Sequence, residues 1–153
     1  MRSGVKPPMH ALLYRSRERS GLLASDLNDI IRTAQARNGA LGVTGLLLSG
    51  HLEAIPGAPG EFVQWLEGPE DDVEDLFSHI SGDPRHTDID VLARGPLRDI
   101  LARSHVDVSA GTERLFPSWS MGLVRLAELP ATLDGFLRFV AGWDGEAYPV
   151  LAA

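Results

Sequence analysis
Cysteine is absent from the 153 residues, which excludes disulfides, thiolate nucleophiles, iron–sulfur clusters and Cys-ligated zinc, and suits a reducing, cytoplasmic setting. Basic residues are in short supply. Fourteen Lys and Arg stand against twenty-one Asp and Glu for a net charge of −7, the wrong sign for a protein that tracks phosphate backbones, so nucleic acid is not an expected partner. Long apolar runs are missing too: none approaches the roughly 18 residues of a membrane span, and the opening MRSGVKPPMH is too polar and proline-broken for a signal peptide. What is present is a hydrophobic fraction of 44%. At roughly 100 to 200 residues per domain, that is enough for one folding unit with a real core.

The periodicity then changes along the chain. Residues 9–15, MHALLYR, read as a strand on which Tyr14 shares a face with Leu12 and His10. Leu27, Ile30, Ile31 and Ala34 fall at helical spacing, with Ser25 as N-cap and Asn38-Gly39 as the stop. GVTGLLLS (42–49) and EFVQWLE (61–67) are nearly continuous apolar runs and read as strands covered on both sides, joined by the loop HLEAIPGAPG. Pro69 and the acids Glu70, Asp71 and Asp72 open a second helix, whose buried stripe is Val73, Leu76, Phe77 and Ile80. A strand is expected over 88–94, only a turn of helix at LRDILA within 96–115, a strand over 119–124, and a helical stripe of Leu129, Leu133, Phe136, Leu137 and Val140. The order β-α-β-β-α-β, with an additional strand and a C-terminal helical cap, is the ferredoxin-like α+β arrangement.

Familiar catalytic anchors are missing. The five histidines are scattered without metal-ligand spacing, so no metal site is expected, and the nucleophile elbow and the glycine-rich phosphate loops do not occur. The acids Glu67, Glu70, Asp71, Asp72, Glu74 and Asp75 have the spacing of a helix start and a solvated face. More informative is Gln64, an amide inside an apolar strand, on the face of Phe62 and Leu66. If that face packs on helices, the amide is buried and must be hydrogen-bonded, by backbone, by Tyr14 or by a ligand.

Tyr14 in LLYRS, the helix with Ile30 and Ile31, ARNGALGVTGLLL (36–48), FVQWLEGP (62–69), DPRH (83–86) and FPSWSMG (116–122) occur in the order found in BLUF domains. The chain resembles this family of blue-light sensors, which use FAD, over residues 9–124, with 1–8 as an extension and 125–153 as the cap. The resemblance implies a non-covalently bound FAD, with FMN or riboflavin as substitutes in recombinant material, and flavin contacts from Tyr14, Ile30, Arg37, Asn38, Thr44, Phe62, Gln64, Asp83, Arg85 and His86. Tyr14 and Gln64 correspond to the photoactive pair: a phenol that gives an electron and a proton to the excited ring, and an amide whose rearrangement leaves a red-shifted ring. Trp119 and Met121 correspond to the signal relay on the last strand, where they share parity. The implied protein is a sensor, not an enzyme, signalling through self-association or a separate partner, with no output domain following. A flavin-free interaction module and a small flavin-dependent oxidoreductase are the alternatives.

The sequence departs from the family pattern in a longer connection over 51–60, an extended stretch over 97–112, Ser49 where a tyrosine is common, and Arg37-Asn38 where many members carry two asparagines. Longer loops cost little thermodynamically and leave the expected fold in place.

Overall fold
The computed structural model describes residues 9–18, 29, 42–51, 60–82, 86–106, 115–116 and 120–142, without the side chains of Glu18, His51, His86, Thr87, Ser120, Met121 and Leu123. Five strands, β1 (Met9–Glu18), β2 (Thr44–His51), β3 (Glu61–Pro69), β4 (His86–Pro96) and β5 (Ser120–Arg125), form one sheet in the order β4-β1-β3-β2-β5. Neighbours run antiparallel except β2 and β5, which are parallel. Among the described residues the helices are α1 (Glu70–Ser81), α2 (Leu97–Arg103) and α3 (Leu133–Ala141), with a 3-10 turn at Leu126–Glu128. None is long and apolar enough to cross a membrane. The helix expected before Asn38 lies outside the described residues, apart from Asp29, which is helical and exposed.

Alternation along the central strands divides the core in two. Leu12, Tyr14, Leu47, Phe62 and Leu66 share one face with Val73, Leu76, Phe77 and Ile80 of α1. Those four are the stripe that the sequence predicts, and the acids Glu70, Asp71 and Asp72 occupy the first turn, where the helix dipole favours them. The other face carries Leu13, Leu46, Leu48, Val63 and Trp65 under α2, Leu129 and α3. There Trp65 stacks on Phe136, with ring centroids 5.5 Å apart and planes 3° from parallel. Both faces are thus apolar, which is why β2 and β3 read as unbroken hydrophobic runs.

Three expectations need correction. LRDILA is not one turn but the body of α2, burying Leu97 and Ile100; its seven residues are too few for periodicity to reveal. Leu129 is buried but precedes α3, which begins after Thr132, whose side chain accepts from the Gly135 amide and caps the helix. The second strand starts at Thr44 instead of residue 42. Gly42 and Val43 cross Gly68, where φ is +156° and a Cβ would come within 2.7 Å of the Gly42 carbonyl oxygen. Only glycine can stand there.

Candidate functional site
Strand pairing aligns one row of residues across the whole sheet. Gln64 of β3 pairs with Tyr14 of β1 on one side and with Leu47 of β2 on the other. Tyr14 pairs with Val91 of β4, next to an irregularity in the β1–β4 ladder, and Leu47 pairs with Met121 of β5. The row Val91–Tyr14–Gln64–Leu47–Met121 therefore brings three expected site positions into one line. Its neighbour contains Phe62, paired with Ser16 and Ser49.

Tyr14 and Gln64 are both fully buried, and the phenol O–H donates to Gln64 Oε1. The Tyr14 ring leans on Phe77 of α1 at 5.4 Å between centroids. Burial holds the phenol pKa well above the ordinary tyrosine range, so it stays a neutral donor. The other end of the amide is different. Gln64 Nε2 is buried and has no hydrogen-bond partner among the described residues. An orphaned buried donor costs about 1–3 kcal/mol, so an acceptor for Nε2 has to come from outside the described residues.

Phe62 lies fully buried on the same face. Ser16 and Ser49 are buried there too, each engaged in an interaction of its own. Ser16 follows Tyr14 by two residues, so strand parity alone could have flagged it. Ile30, Arg37, Asn38, Asp83, Arg85 and Trp119 lie outside the described residues; for His86 and Met121 only the strand position is described.

Thr44 does not join the Tyr14–Gln64 face. It has the parity of Leu46 and Leu48, and its hydroxyl donates to the Phe116 carbonyl at 2.6 Å. A second correction concerns Glu67. Expected on a solvated face with the acids of α1, it is fully buried beneath the sheet, accepting from Trp65 Nε1 at 2.7 Å and from the Phe116 amide at 2.8 Å. Glu74 of the same acidic run also has defined partners. It receives His10 Nε2 at 2.7 Å and the Arg94 guanidinium, which holds its carboxyl below the usual range and clips α1 to β1 and β4. On the cap face Arg15, next to Tyr14, pairs with Glu61 at 2.9 Å and donates to the carbonyls of Leu129 and Pro130. No group of three or more metal-ligating side chains occurs among the described residues.

The family model described as BLUF, sensors of blue-light using FAD, matches residues 9–122. The chain belongs to the BLUF family. Photoactivated adenylate cyclase subunit beta of Euglena gracilis is 35% identical over 129 residues, which cover 82% of this chain and 14% of the relative. Subunit alpha from the same organism is 31% identical over 140 residues, 90% of this chain and 13% of the relative. The chain thus spans a small part of the curated relatives it matches. Among solved structures, the dark-state BLUF protein BlrB superposes with a TM-score of 0.51 at 34% identity, covering 78% of this chain and 74% of that one. Klebsiella pneumoniae BlrP1, solved as a calcium/cy-diGMP complex, gives 0.50 at 29% identity, covering 87% and 28%. This chain is a BLUF blue-light sensor domain, and the family binds flavin.

Proposed function
We propose that the chain is a photoreceptor module that holds FAD on the Tyr14–Gln64 face and switches through that pair. The observation that carries this reading is the buried phenol–amide hydrogen bond with its unpartnered Nε2. A flavin ring edge, rich in carbonyl and imine acceptors, would satisfy that donor. The residues present fit such a group. Tyr14, Phe62 and Gln64 would meet the ring from the sheet, Ile30 would pack on its plane, and Asn38 would pair with its imide edge. Arg37, Asp83, Arg85 and His86 would hold the ribityl and phosphate end, where the basic members offset phosphate charge in an acidic protein.

A flavin held here would supply the blue absorption and the electron-accepting chemistry. Tyr14 would be the donor of the electron, from its ring, and of the proton, from Oη, whose O–H already donates to Gln64 Oε1. Gln64 presents opposite hydrogen-bonding character at its two ends, so rearranging its amide changes the bond offered to the pigment without moving β3. For the module to reset without net redox change, any electron and proton given by Tyr14 would have to return to it. The module turns over no substrate. Its output passes through self-association or through a separate effector.

Absorbance spectra in the dark, under blue light and again in the dark, with the released chromophore identified, test this reading. A flavin spectrum that shifts red and recovers supports it. Flavin that only bleaches points to a redox enzyme, and a colourless protein from flavin-replete cells to an interaction scaffold.

A further inference from the structure
Thr44 and Glu67 are direct cross-strand partners on β2 and β3, and both face the cap. Between them they hold the two main-chain polar groups of one residue. Glu67 Oε2 accepts the Phe116 N–H at 2.8 Å, and Thr44 Oγ1 donates to the Phe116 carbonyl at 2.6 Å. The Phe116 ring is held as well, 6.4 Å from Trp65 and 6.2 Å from Phe136 between centroids. Trp65 in turn donates its indole N–H to the other oxygen of Glu67. Both oxygens of a fully buried carboxylate are thus used as acceptors to fix one point of the chain. Residue 116 precedes β5, the edge strand that places Met121 beside Leu47 in the row of Tyr14 and Gln64.

A strand at a sheet edge is paired on one side only; burial of Val124 in the cap core favours one register of β5, and a tie fixed just before the strand adds to that choice. A one-residue slip of β5 would put Ser120 or Gly122 in the row in place of Met121 and turn every side chain of the strand to the other face. We propose that Glu67, with Thr44, is the positioning residue that sets the register of β5 against β2. It thereby determines which residue stands in the photoactive row and how quickly that row returns to its resting arrangement. The inference rests on the photoreceptor reading above. It assigns to the buried carboxylate a function that neither touches the flavin nor alters the Tyr14–Gln64 hydrogen bond on the opposite face.

Glu67→Gln replaces one acceptor oxygen by a donor, so one of the two N–H groups loses its partner. Thr44→Val removes only the hydroxyl. Ile100→Val trims a buried side chain under the same face of the sheet and serves as the packing control. Flavin content, size of the red shift and dark-recovery rate are measured on the flavin-loaded full chain for the parent, the three single variants and Thr44→Val/Glu67→Gln. Both clamp variants should retain flavin and a red shift of parental size, yet recover about tenfold more slowly, as expected for loss of a hydrogen bond to a buried anchor. The double variant should be slowed little more than either single one, because the two side chains hold the same residue, Phe116, from its two sides. Recovery within twofold of the parent, or slowing matched by Ile100→Val, overturns the proposal while leaving the photoreceptor reading intact. A parent that shows no reversible shift overturns both. Should Glu67→Gln fail to fold, Thr44→Val alone decides by the same criterion.

Discussion
Tyr14 and Gln64 are directly paired across β1 and β3, and the phenol of one donates to the amide oxygen of the other inside a fully buried face. The pairing is set by main-chain register, so the contact survives changes that leave the sheet intact. It also leaves the amide nitrogen as the one group of the pair that needs a partner from outside the described residues.

Tyr14→Phe keeps the ring and its contact with Phe77 but removes the proton donor. Flavin should stay bound, and the reversible red shift should disappear. A variant that photocycles like the parent would show that another residue supplies the electron and proton.

Gln64→Leu should abolish the shift in the same way, and it carries a second expectation for the flavin-free protein. Replacing the amide removes an unsatisfied buried donor but also the acceptor of the Tyr14 hydroxyl, so the net change should be within about 1 kcal/mol of zero. Chemical denaturation of the flavin-free forms measures it. A loss of several kcal/mol would mean that Nε2 is satisfied without a ligand.

Arg15→Ala removes three donated hydrogen bonds that tie β1 to Glu61 and to the chain leading into α3. A cost of about 1–3 kcal/mol is expected, because Glu61 and two carbonyls lose a partly buried partner. Amide exchange should quicken in Leu133–Ala141 and stay near parental in Glu70–Ser81. Arg15→Lys should restore little, since an ammonium cannot reach three acceptors in a fork.

Alkaline pH tests the state of Tyr14. Its folded pKa is raised by burial while the unfolded chain ionises near the ordinary 10.0. The neutral phenol therefore favours the fold fully below about pH 10, and stability falls as pH rises above that value. With Tyr148, the other of the chain's two tyrosines, changed to Phe, phenolate absorbance should appear only together with unfolding. Titration of Tyr14 in the native state near pH 10 would contradict its burial.

Where side-chain parity and helical spacing decide, the sequence is informative: the α1 stripe, the two covered strands and the buried Gln64 all follow from it. Glu67 was hidden for a physical reason. It sits three residues from α1 among acids, and only the fold reveals that its strand continues to Pro69 and turns this one carboxylate under the sheet. Thr44 is hidden for a related reason: parity groups it with Leu46 and Leu48, but on a strand apolar on both faces the sequence does not say which face turns towards Tyr14 and Gln64. The alignment of Met121 with Gln64 is invisible in the chain because it depends on two successive registers, neither encoded locally.

The parallel pairing of β2 with β5 also orders assembly in time. Tyr14 and Gln64 are separated by 50 positions, whereas the Thr44–Phe116 tie closes 72 and places the last strand. Distant closures come later and cost more chain entropy, so during synthesis the phenol–amide pair can form while β5 is still unmade. A chain stopped before residue 116 would hold the Tyr14–Gln64 pair but lack both the strand that completes the row and the Phe116, Leu129, Phe136 and Leu137 side chains that cover Trp65.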